Sequence, residues 1–208
     1  MDVHTRGEWR RQLWRFVLRN QRLLWLLGLL LCGVQIGCVV FRAAWNPLGT
    51  ALADLLNPVR PQGNFMGAMR QWIAYTGPHF LLLLLLFILG FSACGAPLAL
   101  IVPLFFGAGI GLSEAYHFAR GIHGVGYVAL MVLPPTLITA TALLIACAEA
   151  VRFSSKLCRM VLPHPSIGGT LWQDFKLYLA RFLLCVGLLA SAGVLDTILR
   201  LLFIHHFV

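Results

Sequence analysis

The stretch from Phe80 to Ser113 contains no charged residue, and Gly95-Ala96-Pro97 interrupts it near its middle. The hydrocarbon core of a bilayer is about 30 Å thick and is crossed by roughly 20 helical residues, so one span cannot use the whole stretch. A buried helix of a soluble protein would not need the six consecutive leucines from Leu81 to Leu86. We therefore predict two membrane spans joined by a tight turn.

The rest of the chain extends this pattern to a polytopic membrane protein. Hydrophobic residues make up 60% of the 208 residues and charged residues 11%, which lies outside the usual balance of a soluble domain. The predicted fold is an all-α bundle of about five transmembrane helices, at residues 23–41, 79–94, 98–118, 125–149 and 182–204. An outer loop, 42–78, and an inner loop, 152–176, connect them.

The distribution of Lys and Arg predicts the orientation of this bundle. Eleven of the 16 basic residues fall on one side: Arg6, Arg10, Arg11, Arg15, Arg19 and Arg22 before the first span, and Arg152, Lys156, Arg159, Lys176 and Arg181 between the last two. Arg42, Arg60, Arg70 and Arg120 fall on the other side. Basic residues collect in cytoplasmic segments, so we expect the N-terminus inside and the C-terminus outside. This bias also accounts for the net charge of +9.

Residues 1–22 are predicted to form a basic amphipathic helix on the cytoplasmic side, and not a cleavable signal peptide. Trp9, Leu13, Phe16 and Val17 share one face. The opposite face carries four arginines, Arg11, Arg15, Arg19 and Arg22. Such a helix lies in the headgroup layer with its cations toward anionic lipid, so these arginines are candidate membrane-surface contacts. Nucleic-acid binding is the less favoured alternative, and we expect no nucleic-acid partner.

The sequence contains no catalytic or phosphate-binding motif, and the six cysteines show no metal-ligand spacing. Glu114 and His117 lie three residues apart, as in one unit of a di-iron bundle, but such a site needs a second unit and two further glutamates. We therefore expect no enzyme activity, no metal and no cofactor. Glu114, His117 and Arg120 are instead predicted to form a polar strip at the outer end of the third span, facing a partner and not lipid.

Asp196 and Arg200 form a second polar strip, in the fifth span, and their spacing of four residues allows them to pair along a helix. Two interpretations stay open for both strips. They line a docking surface or polar crevice, or they pair between helices and hold the bundle together.

Two features of the third and fourth spans concern helix packing and shape. Gly107 and Gly111 have the spacing at which small residues let membrane helices approach closely, although the sequence does not identify the partner helix. Pro134-Pro135 predicts a kinked or broken fourth helix, in which Thr136, Thr139 and Thr141 can bond the carbonyl groups that the prolines free.

The order and spacing of several segments resemble the stage II sporulation protein M family. These segments are Gly107-Ala-Gly-Ile-Gly-Leu, then Val132-Leu-Pro-Pro-Thr-Leu-Ile, then Phe153-Ser-Ser-Lys-Leu. The resemblance covers roughly residues 81–157. Members of this family are five-span membrane proteins with a glycine-rich third helix.

The resemblance implies a non-enzymatic scaffold in the mother-cell membrane of a spore-forming bacterium. Family members recruit two peptidoglycan-cleaving enzymes, stage II sporulation proteins P and D, which thin the septal wall during engulfment. The partners expected here are thus the lipid bilayer and hydrolases similar to those two, with a homo-oligomer left open. The alternative is a transporter or lipid-handling subunit that uses the broken fourth helix.

Overall fold

A computed structural model describes residues 21–43, 65–119, 121–161 and 171–207. Within these residues the secondary structure is helical, without strands. The helices are α1 (Gln21–Ala43), α2 (Phe65–Phe91), α3 (Gly95–Phe118), α4 (Ile122–Tyr127), α5 (Leu133–Val161) and α6 (Leu171–Phe207), and a π-helical segment, Val128–Val132, joins α4 to α5.

Five helical segments are long and apolar enough to cross a membrane. They are Leu23–Ala43, Phe65–Phe91, Gly95–Phe118, Gly124–Met160 and Trp172–Phe203. The fourth combines most of α4, the π-helical segment and nearly all of α5. The predicted all-α, multi-pass bundle with five spans is therefore confirmed.

Several helices extend beyond the predicted spans. Residues 65–78 of the predicted outer loop belong to α2, and Pro78 lies inside that helix. At the other end, α5 continues to Val161 and α6 already begins at Leu171, within the predicted inner loop. The spans were delimited by apolar composition, whereas these helices continue through polar residues that bond to neighbouring helices. The predicted N-terminal amphipathic helix lies outside the described residues, apart from the backbone at its last two positions, which belongs to α1.

Helices α1 and α3 run parallel and touch through glycines. Gly33 lies against Leu104, and four residues later Gly37 lies against Ala108. In return, the Gly107–Gly111 face of α3 contacts the backbone of α1. A Cβ atom at any of these four glycines would overlap a backbone carbonyl oxygen of the other helix, namely that of Leu104, Ala108, Leu30 or Val34. The partner of the predicted small-residue motif is thus a second such motif, on α1.

A buried serine on α5 holds the turn between α2 and α3. Ser154 is inaccessible to solvent, and its hydroxyl group accepts a hydrogen bond from Ala96 N–H at 3.0 Å. The same hydroxyl donates to the carbonyl oxygen of Ser92 at 2.6 Å. One side chain therefore satisfies an unpaired donor at the start of α3 and an acceptor just past the end of α2. The predicted tight turn is present, with Gly95–Pro97 as the first turn of α3.

An aromatic cluster surrounds Tyr178 on α6, which is 2% exposed. Its ring stacks on Phe87 of α2 at 5.4 Å and on Phe153 of α5 at 4.7 Å between ring centres. Its hydroxyl group donates to the carbonyl oxygen of Phe87 at 2.9 Å. Gly90 makes room for this hydroxyl, since a Cβ atom there would overlap it. The cluster packs α2, α5 and α6 together.

The fourth span does not begin as a regular α-helix. Gly121 precedes it with a φ of 81°, a conformation that glycine adopts without steric cost. The π-helical segment then comes directly before Pro134 and Pro135, which cannot donate backbone hydrogen bonds. The hydroxyl group of Thr136 donates to the carbonyl oxygens of Val132 and Leu133. The predicted distortion is therefore a change of helical register just before the two prolines, and residues 122–161 remain continuously helical.

Candidate functional site: a buried polar network

The bundle has two ends that we name by the predicted orientation. The outer end is where α1, α3 and α6 end and where α2 and α4 begin. The inner end is where α2 and α5 end and where α3 and α6 begin. Arg181 and Arg200 of α6 are nineteen residues apart, which is about 28 Å along a helix and close to the thickness of the hydrocarbon core.

Asp196 is the centre of a polar network at the outer end and is 1% exposed. Nε of Arg200 donates to both of its carboxylate oxygens, at 3.1 and 2.9 Å. Nε2 of Gln71 on α2 donates to Oδ2 at 3.2 Å. The predicted pairing along α6 is therefore present, and it extends to a second helix. A carboxylate with these partners can remain charged although it is buried. Removal of one partner of a buried ion pair lowers the free energy of unfolding by about 3–5 kcal/mol.

Tyr127 connects the two predicted polar strips. A terminal guanidinium nitrogen of Arg200 lies 3.2 Å from the Tyr127 hydroxyl oxygen and donates to it. The ring of His117, which is buried, lies 4.7 Å from the Tyr127 ring. The network, defined as Gln71, His117, Tyr127, Asp196 and Arg200, thus includes residues of α2, α3, α4 and α6. We call it the Asp196 network.

A second layer of polar contacts lies beside this network on α2. The hydroxyl groups of Tyr75 and Thr139 are 3.0 Å apart, which joins α2 to α5. Nδ1 of His79 lies 2.6 Å from the Tyr75 carbonyl oxygen, and its ring packs edge-on against Phe106 of α3. Nε1 of Trp72 donates to the carbonyl oxygen of Ala190 on α6 at 3.2 Å. Two of these hydrogen bonds join α2 to α5 and α6, and the packing of His79 on Phe106 adds a contact with α3.

Glu114 does not belong to the Asp196 network. It lies three residues before His117 on α3 and is half-buried. In the described part of the chain, no hydrogen bond or ion pair to its carboxylate is present. The side chain of Arg120 lies outside the described residues, as do those of Arg11, Arg15, Arg19 and Arg22. Of the predicted strip, the structure therefore places His117 in the network and leaves Glu114 beside it.

The inner end carries a separate charged cluster. The carboxylate of Glu149 on α5 pairs with Arg181 on α6, and Arg152 lies 3.9 Å from its other oxygen. Nζ of Lys156 pairs with Asp174 in the same way, farther from the membrane. The Lys156–Asp174 pair joins parts of α5 and α6 that were predicted to be loop.

Between the two ends, the described residues carry no acidic or basic side chain other than His79, although Tyr75 and Thr139 place hydroxyl groups near the middle. Thr139 and Glu149 are ten residues apart on α5, about 15 Å, and Arg181 and Asp196 are fifteen residues apart on α6, about 22 Å. The buried side chains in these intervals are small or apolar: Ala142, Leu143, Ala146 and Cys147 on α5, and Phe182, Cys185, Leu189 and Ala192 on α6. In the described ranges, no group of three or more His, Cys, Asp or Glu side chains could hold a metal ion.

Several of these residues were missed by the sequence analysis. Gln71, Trp72 and Tyr75 fall in the predicted outer loop, although their spacing at one side of a helix is a usable signal. Tyr127 gives no signal, because a single tyrosine near a span end is common. Gly33 and Gly37 have the same spacing as Gly107 and Gly111 and could have been found by the same rule.

No known protein family, characterised protein or solved structure matches this chain.

Proposed function

We propose that this protein is a non-enzymatic scaffold in a bacterial cell membrane, with a docking surface for peptidoglycan-cleaving enzymes at its outer end. The observation that carries this proposal is the distribution of polar side chains. The charged side chains of the described residues gather at the two ends of the bundle, and Arg181 and Asp196 on α6 are about 22 Å apart. Transport sites lie near the middle of the membrane, where the described residues place the hydroxyl groups of Tyr75 and Thr139 and the ring of His79 but no carboxylate or guanidinium group.

The bonding of these polar side chains also favours a scaffold. Asp196, Arg200 and Gln71 satisfy one another, and their bonds hold α2 and α6 together. Tyr127 adds α4 to the same network. A rigid outer end of this kind presents a constant surface to a partner, and it limits the conformational entropy that binding would otherwise cost.

The identity of the partners rests on the sequence resemblance alone. If the resemblance holds, the partners are hydrolases similar to stage II sporulation proteins D and P, and the location is the mother-cell membrane of a spore-forming host. The chemistry of the outer end is compatible with a protein partner, since it exposes both charged and apolar side chains, among them Arg70 and Met69.

The burial of Asp196 decides which residue is suitable for a test. A side chain that is 1% exposed cannot touch a partner, so its removal would act through the fold. Glu114 is half-buried and Arg70 is exposed, and neither has a hydrogen bond or ion pair in the described part of the chain. Both residues carry a charge that a docked partner can sense.

The experiment is co-purification of the tagged full-length protein from membranes of its host, with the peptidoglycan-cleaving activity of the purified fraction as the readout. We expect Glu114→Gln and Arg70→Gln to lower that activity severalfold at equal amounts of membrane protein. Arg159→Gln, which removes an exposed charge at the inner end, is the matched control and should leave it unchanged. Equal peptidoglycan-cleaving activity with the unsubstituted protein and with all three variants would contradict a docking surface at the outer end.

A transporter or lipid-handling subunit is the second candidate, and one observation favours it. The π-helical segment Val128–Val132 directly follows Tyr127, which bonds to Arg200, and only Leu133 separates it from Pro134-Pro135. π-Helical segments are frequent at functional sites. Flux of a solute or lipid in proteoliposomes of the purified protein, lost in Tyr127→Phe, would support this candidate over the scaffold.

A further inference from the structure

The cleft between α5 and α6 at the inner end is lined by three basic and two acidic side chains, and the helices around it carry further basic residues. Over residues 149–161 and 171–181, two acidic residues, Glu149 and Asp174, stand against five basic ones: Arg152, Lys156, Arg159, Lys176 and Arg181. The side chains of Glu149, Arg152, Lys156, Asp174, Leu177 and Arg181 line the cleft. The proposed scaffold function, which concerns the outer end, does not use this cleft.

The ion pairs in the cleft leave Arg152 with unused hydrogen-bond donors. Glu149 already accepts from Arg181, and Arg152 reaches it only at 3.9 Å. The Arg152 side chain is 58% exposed, and a guanidinium group has five N–H donors. Arg181 is 40% exposed and uses a single terminal nitrogen for Glu149. Two guanidinium groups thus lie beside one carboxylate, with donors still free on both.

The position of these two arginines corresponds to the headgroup layer. Arg181 lies about 28 Å along α6 from Arg200, which is close to the thickness of the hydrocarbon core. Glu149 pairs with Arg181, and Arg152 lies about one turn farther out on α5. The exposed indole of Trp172, with Nζ of Lys176 5.3 Å from its ring centre, lies beyond them.

An apolar surface continues from the arginines toward the middle of the membrane. Leu184 lies three residues after Arg181 on the same face of α6 and is 65% exposed. Its neighbour Leu183 is 64% exposed. A ligand with a phosphate group at Arg152 and Arg181 would therefore have a hydrocarbon-facing surface directly below it.

We propose that this cleft binds a phospholipid with an anionic headgroup, such as phosphatidylglycerol or cardiolipin. Its phosphate accepts hydrogen bonds from Arg152 and Arg181, which stay oriented by Glu149, and an acyl chain lies along Leu184. Paired guanidinium groups suit a phosphate because each can donate two parallel bonds. Basic pockets between membrane helices at the cytoplasmic side are suited to anionic lipid headgroups.

The test is a titration of the purified full-length protein in neutral detergent with phosphatidylglycerol, in which native mass spectrometry counts the bound lipids. We expect Arg152→Gln to weaken binding about tenfold, the loss expected for a hydrogen bond to a charged group. Glu149 keeps its pair with Arg181 in this variant, so the fold should persist. Arg159→Gln removes another exposed charge about 10 Å farther along α5 and should weaken binding less than about twofold.

Three outcomes would overturn the proposal. Equal losses in Arg152→Gln and Arg159→Gln would show general attraction to a basic surface, and unchanged binding in both would show that the lipid binds elsewhere. Full competition by millimolar inorganic phosphate would show a phosphate site and not a lipid site. If Arg152→Gln does not fold, Arg152→Lys serves instead, and binding as tight as in the unsubstituted protein would contradict the paired-guanidinium geometry.

Discussion

Substitution of Gly107 by alanine tests the contact between α1 and α3 most directly. A Cβ atom on Gly107 would overlap the carbonyl oxygen of Leu30, with the Leu30 carbonyl carbon and the Val34 nitrogen both at 3.1 Å. These are backbone atoms of a regular helix, so they cannot rotate aside as a side chain could. The two helices must separate, and packing is lost along the whole contact.

The magnitude follows from two opposing terms. Alanine is favoured over glycine inside a helix by about 1 kcal/mol, while the insertion of extra atoms into a packed interface costs about 1–3 kcal/mol. Gly109, two residues later, has no atom within 4 Å of the position of its Cβ. Gly109→Ala therefore gains the helix propensity of alanine without the steric cost. The difference between the two variants therefore isolates the steric cost, which we expect to be about 1–3 kcal/mol.

The assay is unfolding of the purified protein in mild detergent by added sodium dodecyl sulfate, followed by tryptophan fluorescence. Gly107→Ala should unfold at lower denaturant than the unsubstituted protein, and Gly109→Ala at the same or higher denaturant. A second readout is the rate of maleimide labelling at Cys38, whose Sγ lies 3.5 Å from the Gly111 carbonyl oxygen. Separation of the helices should increase that rate in Gly107→Ala.

Equal stability of Gly107→Ala and Gly109→Ala would refute the close approach of the two helices. The combination of Gly33→Ala with Gly107→Ala gives a further check. Both substitutions separate the same pair of helices, so the second should cost less once the first is present, and the joint effect should be smaller than the sum. A fully additive result would show that the two glycines do not share one interface.

Two other predictions concern the turn that Ser154 holds and the orientation of the bundle. Ser154→Ala should destabilise the protein by about 1–3 kcal/mol because it removes the partner of the part-buried Ala96 N–H, while the Ser92 carbonyl oxygen keeps its bond from Gly95 N–H. Ser155→Ala, which removes a bond to its own helix at Val151, should cost less than about 1 kcal/mol, and similar losses in the same denaturant titration would refute the role of Ser154 in the turn. Alkaline phosphatase fused after Val208 should be active and fused after Arg159 inactive, and the opposite result at either site would contradict the predicted orientation.

The number and order of the spans could be predicted from sequence because each needs little more than a long apolar stretch. The span ends could not, since a helix that leaves the hydrocarbon core becomes polar without ceasing to be helical. Residues 65–78 show this: Arg70 and Gln71 lowered the local hydropathy, yet they lie in α2. In the structure Gln71 continues the helix and bonds to Asp196.

The candidate site was predictable only within one helix. The spacing of Asp196 and Arg200 predicts their pair, because four residues bring two side chains together on any helix. Contacts between helices depend on how each helix is rotated about its axis and how deep it lies in the membrane. The spacing of residues along one helix gives neither. The bonds from Arg200 to Tyr127 and from Asp196 to Gln71 therefore appear first in the structure.

The helices of this bundle are held together by two different physical means. At the outer end, α2, α4 and α6 are joined by hydrogen bonds around Asp196, and those bonds depend on the identity of a few polar atoms. Helix α1 packs on α3 through glycines, and that contact depends on shape, because the backbones touch. Added volume should therefore be most harmful between α1 and α3, whereas loss of polarity at constant volume should be most harmful around Asp196. The outer end therefore depends on a hydrogen-bond network whose members support one another, so the loss of one partner should weaken the bonds that remain.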